Sequence, residues 1–485
     1  MSSSAHRDTG HDHAAAGPGP DRLWSVQDHL DDVLATVRPL DPIELNLLDA
    51  QGCVLVDDIT VPLSLPPFDN SSMDGYAVRV TDVAGASEEF PAVLEVVGDV
   101  AAGQTDPIAV GPGQAARIMT GAPLPPGAEA VVPVAVAAGQ TDPIAVGPGQ
   151  AARIMTGAPL PPGAEAVVPV EWTDGGSGEG PVAGMRARSL APEGAEGHVQ
   201  VYRPAEERAH VRAKGSDVRS GDRALAAGTV LGPPQIGLLA AIGRGTVRVR
   251  PRPRVVVLST GSELVQPDEQ LAPGQIYDSN SFALTAAARD AGAIAYRVGA
   301  VADDAETLRA TIEDQLVRAD LMVTTGGVSV GAYDVVKEAL AHVGDEDEPG
   351  GGVDFRKLAM QPGKPQGFGS VGPDHTPLLA LPGNPVSSYV SFELFVRPAI
   401  RTLMGLPDVH RPTVTASLAA DKALTSPKGR RQFLRGSHAG GSVTPVGGSG
   451  SHLVAALAQA NALIVVPEDT ESVEPGTEVE VVLLG

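Results

Sequence analysis

The chain has one cysteine, few aromatics, few basic residues relative to acidic ones, and no long apolar run. Each scarcity excludes something. With Cys53 as its single cysteine among 485 residues, the chain can form neither an intrachain disulfide framework nor a multi-cysteine zinc site, and a reducing cytoplasm fits best. Cys53 lies in the apolar stretch GCVLV and reads as core filler. Aromatic residues make up 3% of the chain, so its cores must be built from Val, Leu, Ile and Ala. Lys and Arg number 35 against 59 Asp and Glu, a net charge of −24. That balance speaks against non-specific binding to nucleic acid or an anionic membrane. No apolar run approaches the ~18 residues of a membrane-spanning helix. The N-terminal MSSSAHRDTGHDHAAAGPGPD lacks the basic and apolar regions of a signal peptide. Residues 1–21 read as a disordered tail, although His11 and His13 flank Asp12.

Glycine and proline are plentiful, at 57 and 43 residues, and favour turn-rich β or mixed architecture over a helix bundle. A chain of this length divides into about three or four domains. In DRLWSVQDHLDDVLATV, Leu23, Val26, Leu30, Val33 and Leu34 form one helical stripe. From 51 to about 245, short Val-rich runs broken by Gly and Pro predict β-domains. Within them VAAGQTDPIAVGPGQAARIMTGAPLPPGAEAVVPV occurs at 100–134 and again, letter for letter, at 136–170. Solenoid repeats diverge and come in longer runs, so this is a tandem duplication or an error in the recorded sequence. A fold built for one copy has one slot, which the copies share or compete for, with the surplus strand material at the domain's edge. From about 250, strand and helix alternate: RVVVLSTG, FALTAAARDAG, IAYRVGAV, AETLRATIEDQLVRA, DLMVTT, TPLLALPGNP and VSSYVSFELFVRPAIRTLMG. This predicts a parallel sheet covered by helices. After about 406, Val-rich segments with Gly-rich turns predict a small β-domain.

Ligands of open α/β sheets bind beyond the carboxyl ends of the strands. Three turns fall there: STGSEL at 259–264, TTGGVSVGAYD at 324–334 and LPGNPVS at 381–387. Candidate ligand-binding positions are Thr260 and Gly261 in the first, Thr325, Gly326, Gly327 and Ser329 in the second, and Gly383 and Asn384 in the third. Glycines admit a close backbone approach, and amides at the following helix start can cradle an anion. Lys364, in MQPGKP, adds a positive charge. Asp278, Asp334 and Glu263 share this edge. Carboxylates beside a phosphate make sense if Mg²⁺ bridges them; the alternative is that Asp278 and Asp334 cap helices. In the first half, PPFDNSSMDGYAV crowds Asp69, Asn70, Ser71, Ser72 and Asp74 into a few positions, which reads as a shaped site.

These segments, with RIMTGAPLPPGAEAVVPVE, RRQFLRG and SGSHLVAALAQANALIVVPE, resemble the MoeA family, the molybdopterin molybdotransferases, similar to the enzymatic half of gephyrin. The resemblance spans roughly residues 22–485. It implies a multidomain fold, mixed α/β and β, in a homodimer. The implied parts are a discontinuous helical and β domain at 22–65 and 195–245, and a lid-like β domain at 66–194 holding the duplication. A parallel-sheet, molybdopterin-binding α/β domain follows at 246–405, and a C-terminal β-barrel at 406–485. The implied reaction converts adenylylated molybdopterin and molybdate to molybdenum cofactor and AMP with Mg²⁺. Contacts with the adenylyltransferase and with apo-molybdoenzymes are implied as partners. By the same resemblance Asp278 and Asp334 handle metal and phosphate, and Lys364 and Lys337 stabilise oxyanions. Asp69, Ser72 and Asp74 close the cleft from the partner's lid, and Thr120 or Thr156 serves in RIMTGAP. Two positions depart from the family pattern. Ser216 stands where many relatives carry the acid of a GED segment, and Ser262 replaces the first acid of TGDEL. A folded but inactive scaffold and a molybdopterin adenylyltransferase are the other readings.

Overall fold

The computed structural model describes residues 23–72, 75–100, 109–118, 127–133, 145–154, 160, 163–174, 197–327, 336, 338–340 and 352–485. The tail and six of the expected site residues, Asp74, Thr120, Thr156, Ser329, Asp334 and Lys337, lie outside the described residues. The chain divides into two compact units. One takes the chain up to Asp57, Ala227–Gly232 and Thr246–Gly485; the other takes Asp58–Ala226 and Pro233–Gly245.

The first unit is organised by a six-stranded sheet. Its elements are β1 (Arg254–Thr260), α1 (Asn280–Asp290), β2 (Ile294–Val301), α2 (Ala305–Leu316), β3 (Leu321–Thr325), β4 (Gly352–Lys357), β5 (Pro365–Val371), β6 (Thr376–Leu381) and α3 (Pro385–Ser391). The strand order is β2-β1-β3-β6-β5-β4. All of β3 and all but the first residue of β1 are buried, as expected of strands covered on both faces. Val255 and Val257 face one core with Leu284 and Ala288 of α1. Val256 and Leu258 face the opposite core with Leu308 and Ile312 of α2. The period-two alternation of β1 thus splits its side chains between two helical layers.

The expected parallel sheet is present, with an antiparallel margin on one side. Strands β2, β1, β3 and β6 are parallel, but β5 runs antiparallel to both β6 and β4. The reason is local. Val371 pairs with Thr376, so the turn between β5 and β6 is far too short for the crossover that parallel neighbours need.

The helix Val26–Thr36 starts where Ser25 Oγ accepts from the Asp28 amide at 2.9 Å, a standard N-cap. Its stripe of Val26, Leu30 and Val33 joins the core with Phe395, Ala399 and Leu403. Beyond the α/β sheet, five strands close a barrel in the order Arg431–Ala439, Ser442–Pro445, Thr413–Leu418, Glu478–Leu483, Ala462–Val466 and back to the first.

The second unit holds a seven-stranded sheet. Its order is Gly163–Pro169, Gly75–Val78, Gly127–Pro133, Ala145–Ile154, Ala109–Ile118, Ala92–Val100 and His198–Val201. Both copies of the duplication contribute, each with the same two strands. The surplus material is not confined to the edge: each of the four repeat strands pairs with at least two others. Counterpart residues of the two copies share some partners. Ile118 and its counterpart Ile154 both pair with Val100, and Ala130 and its counterpart Ala166 both pair with Val78.

Candidate functional site

Where β1, β3 and β6 end, their turns enclose a cavity of about 530 Å³. Its wall includes Thr260, Asp278, Asn280, Gly326, Gly383 and His452. The glycines are required by geometry. Gly326 has φ +98°, and a Cβ on it would lie 2.4 Å from the Thr260 carbonyl oxygen. Gly383 packs with its Cβ position 3.3 Å from the Gly326 Cα. At Gly326 no side chain fits, and there the backbone itself becomes the wall.

Asn280, the first residue of α1, locks the turns together. Its Nδ2 donates to the Gly383 carbonyl at 2.6 Å and to Thr325 Oγ1 at 3.1 Å. Thr325 Oγ1 in turn donates to the Pro382 carbonyl at 2.9 Å. Asn384 precedes α3 in extended backbone, with no capping bond from its side chain.

Asp278 is buried to 1% exposure. Its Oδ1 accepts from Ser259 Oγ at 2.8 Å and from the Ser281 amide at 3.1 Å. Its Oδ2 accepts from Ser281 Oγ. The capping alternative therefore describes its contacts directly: the Asp278 carboxylate caps an amide in the first turn of α1. Of about four lone-pair positions on a carboxylate, three are used. By contrast Glu263, on the cavity wall, is exposed. Thr260 Oγ1 is buried with no hydrogen-bond partner among the described residues, and an orphaned buried hydroxyl on a cavity wall is a ready ligand donor or acceptor.

The structure gathers Thr260, Asp278, Gly326, Gly327, Gly383 and Asn384 on this one wall. Gly261 adjoins it with φ +154°. Lys364 is half-buried next to the wall residue Pro365. Asp69 and Ser72 belong to the second unit, where they serve local structure. Asp69 accepts from Arg208 Nη2 at 2.9 Å and from the Lys214 amide at 2.6 Å, and Ser72 Oγ donates to the His210 carbonyl at 3.0 Å. Ser262, standing in for an acid, accepts from the Asp303 amide at 3.3 Å.

Wall residues missed from sequence include Asn280, Asp303 and His452. Asp303 lies just before α2, and its neighbour Asp304 caps that helix, accepting from the Thr307 amide at 2.8 Å. His452, in the motif SGSHLV, was assigned no role. The Val386 amide of α3 donates to the Ser451 carbonyl at 3.0 Å, which brings the neighbouring histidine to the cavity. Among the described residues no three His, Cys, Asp or Glu cluster as a metal site.

Glycine turns, hydroxyls and an anchored carboxylate at the strand ends of an open α/β sheet define a multidomain protein built to hold a small polar ligand. Comparison with known proteins gives the family. The profile "Probable molybdopterin binding domain" matches residues 256–402. "MoeA N-terminal region (domain I and II)" matches in two overlapping pieces, 24–141 and 135–243. "MoeA C-terminal region (domain IV)" matches 417–484. The chain is 43% identical over 463 residues to molybdopterin molybdenumtransferase 2 of Mycobacterium tuberculosis, covering 95% of this chain and 99% of that one. It is 32% identical over 442 residues to the molybdopterin molybdenumtransferase of Bacillus subtilis, covering 90% and 89%. The crystal structure of a molybdopterin biosynthesis MoeA protein from Pyrococcus horikosii superposes with a TM-score of 0.66 at 30% identity, over 96% of this chain and 100% of that one. The chain belongs to the MoeA family and is a transferase of molybdenum cofactor biosynthesis.

The two N-terminal matches overlap within the repeat, each holding one copy, so this chain carries one copy more than the family pattern.

Proposed function

We propose that this protein inserts molybdenum into molybdopterin, taking adenylylated molybdopterin and molybdate and releasing molybdenum cofactor and AMP. The observation that carries the reading is the cavity at the ends of β1, β3 and β6, with its glycine wall and the Thr260 hydroxyl, which has no partner among the described residues. Backbone amides of such turns suit the phosphates of a nucleotide-capped pterin. Lys364 and Lys337 supply charge for an oxyanion.

Mg²⁺ fits the donor chemistry. The acids on the wall are Glu263, Asp278 and Asp303, all hard oxygen ligands, and Mg²⁺ takes one or two carboxylates together with substrate phosphates. Asp278, with one lone-pair position left, and Asp334 would hold it, and the bound ion would polarise the phosphoryl oxygens. The protein's own part is orientation: Asn280 fixes two turns, and the Ser259 and Ser281 hydroxyls fix the Asp278 carboxylate. Asp69, Ser72 and Asp74 act from the lid of a homodimer partner. We place the reaction in the cytoplasm, in keeping with the single cysteine; among the described residues no helix is long and apolar enough to cross a membrane.

The test is release of AMP from adenylylated molybdopterin by the purified protein with Mg²⁺ and molybdate. We expect AMP and molybdenum cofactor in equal amounts. Tight pterin binding with no AMP would replace the enzyme with the scaffold reading.

A further inference from the structure

We infer that Arg297 is a positioning residue for Asp278. This rests on the function proposed above. Arg297 lies on β2, an edge strand, and does not line the cavity. The pairing of β1 with β2 slips between Val257 opposite Arg297 and Leu258 opposite Gly299, leaving Val298 as a bulge. Bulges re-aim side chains and favour the neighbourhood of active sites. Gly299 takes φ +94°, and a Cβ there would stand 3.3 Å from Arg297 Nη1. The bulge and the glycine together make room for the guanidinium. Its Cζ lies 4.0 Å from the centroid of the Phe282 ring, and its Nη1 lies 3.4 Å from Ser281 Oγ and 3.9 Å from Asp278 Oδ2. Both flanking residues belong to α1, which Asp278 caps. A carboxylate this buried needs a compensating cation, and Arg297 is its one ion-pair partner among the described residues. Arg297 therefore holds the shape of the Asp278–Ser281 pair from behind and acts on the ligand only through it.

The experiment compares Arg297→Met and Arg297→Lys with the wild type in two readouts. In AMP release, Met should lower kcat about tenfold or more with KM unchanged, and Lys should recover most of it. In hydrogen exchange, the Ser281 amide should exchange about tenfold faster in Met than in wild type, with Lys again close to wild type. A wild type that releases no AMP removes the functional reading but leaves the exchange readout to decide the contact. An active wild type with unchanged kcat and unchanged Ser281 exchange in Arg297→Met overturns the inference. So does a Lys variant as impaired as Met.

Discussion

His29 offers a sharp test of how the first unit is held together. Its imidazole is fully buried, edge-on to Phe395 with ring centroids 4.7 Å apart and to Phe368 at 6.2 Å. Neither ring nitrogen has a hydrogen-bond partner among the described residues. Burial first, and then the Arg356 charge, push its pKa from 6.5 down to about 4, against the opposing pull of Asp32 and Asp354. The folded state thus excludes a proton that the unfolded chain binds between pH 6.5 and 4. Stability contributed by the neutral ring is fully present above pH 6.5 and falls as the pH drops, levelling off below about 4. At ~1.4 kcal/mol per pH unit the whole loss is about 3 kcal/mol. His29→Leu removes both the titration and the unpaired nitrogens, whose burial costs about 1–3 kcal/mol. The variant should match or exceed wild-type stability at pH 7 and gain a further advantage of about 3 kcal/mol by pH 4. The assay is urea unfolding from pH 7.5 to 4, followed by tryptophan fluorescence in a Trp172→Phe background so that Trp24 alone reports. Midpoints of the two proteins that stay parallel across this range would refute the reasoning, because other acid-sensitive groups are common to both.

Two further outcomes bear on the site. Gly326→Ala places a methyl at φ +98° and 2.4 Å from the Thr260 carbonyl oxygen; left-handed strain alone costs about 1–3 kcal/mol, so we expect a lower urea midpoint and no AMP release, and a variant with wild-type values in both would show that the turns are not packed as described. Asp334→Asn should melt like the wild type and lose turnover, and full activity in the AMP assay would remove Asp334 from the metal and phosphate role.

Much of the α/β unit was legible in the residues. The runs RVVVLSTG and DLMVTT are apolar without alternation and became central strands buried on both faces. The turn after DLMVTT carries glycine because a Cβ on Gly326 would collide with the Thr260 carbonyl. Local periodicity encodes which faces are buried, and turn chemistry encodes where the chain reverses, so both can be read one segment at a time. The duplication, too, needed no structure to be seen.

What the tertiary structure alone decided were the partners. The residue Asp278 was visible as an acid at a strand end, but only packing showed two serines and the α1 amide taking up its oxygens. His452 reaches the cavity from the far end of the chain because α3 and the Ser451 turn share a backbone bond. Arg297 looked like one more strand residue until the bulge at Val298 turned it behind the carboxylate. The hydrogen-bond donors and acceptors of a side chain are fixed by its type. Which of them meet depends on contacts between segments far apart in sequence, and these are chosen by packing the whole unit rather than by any local pattern.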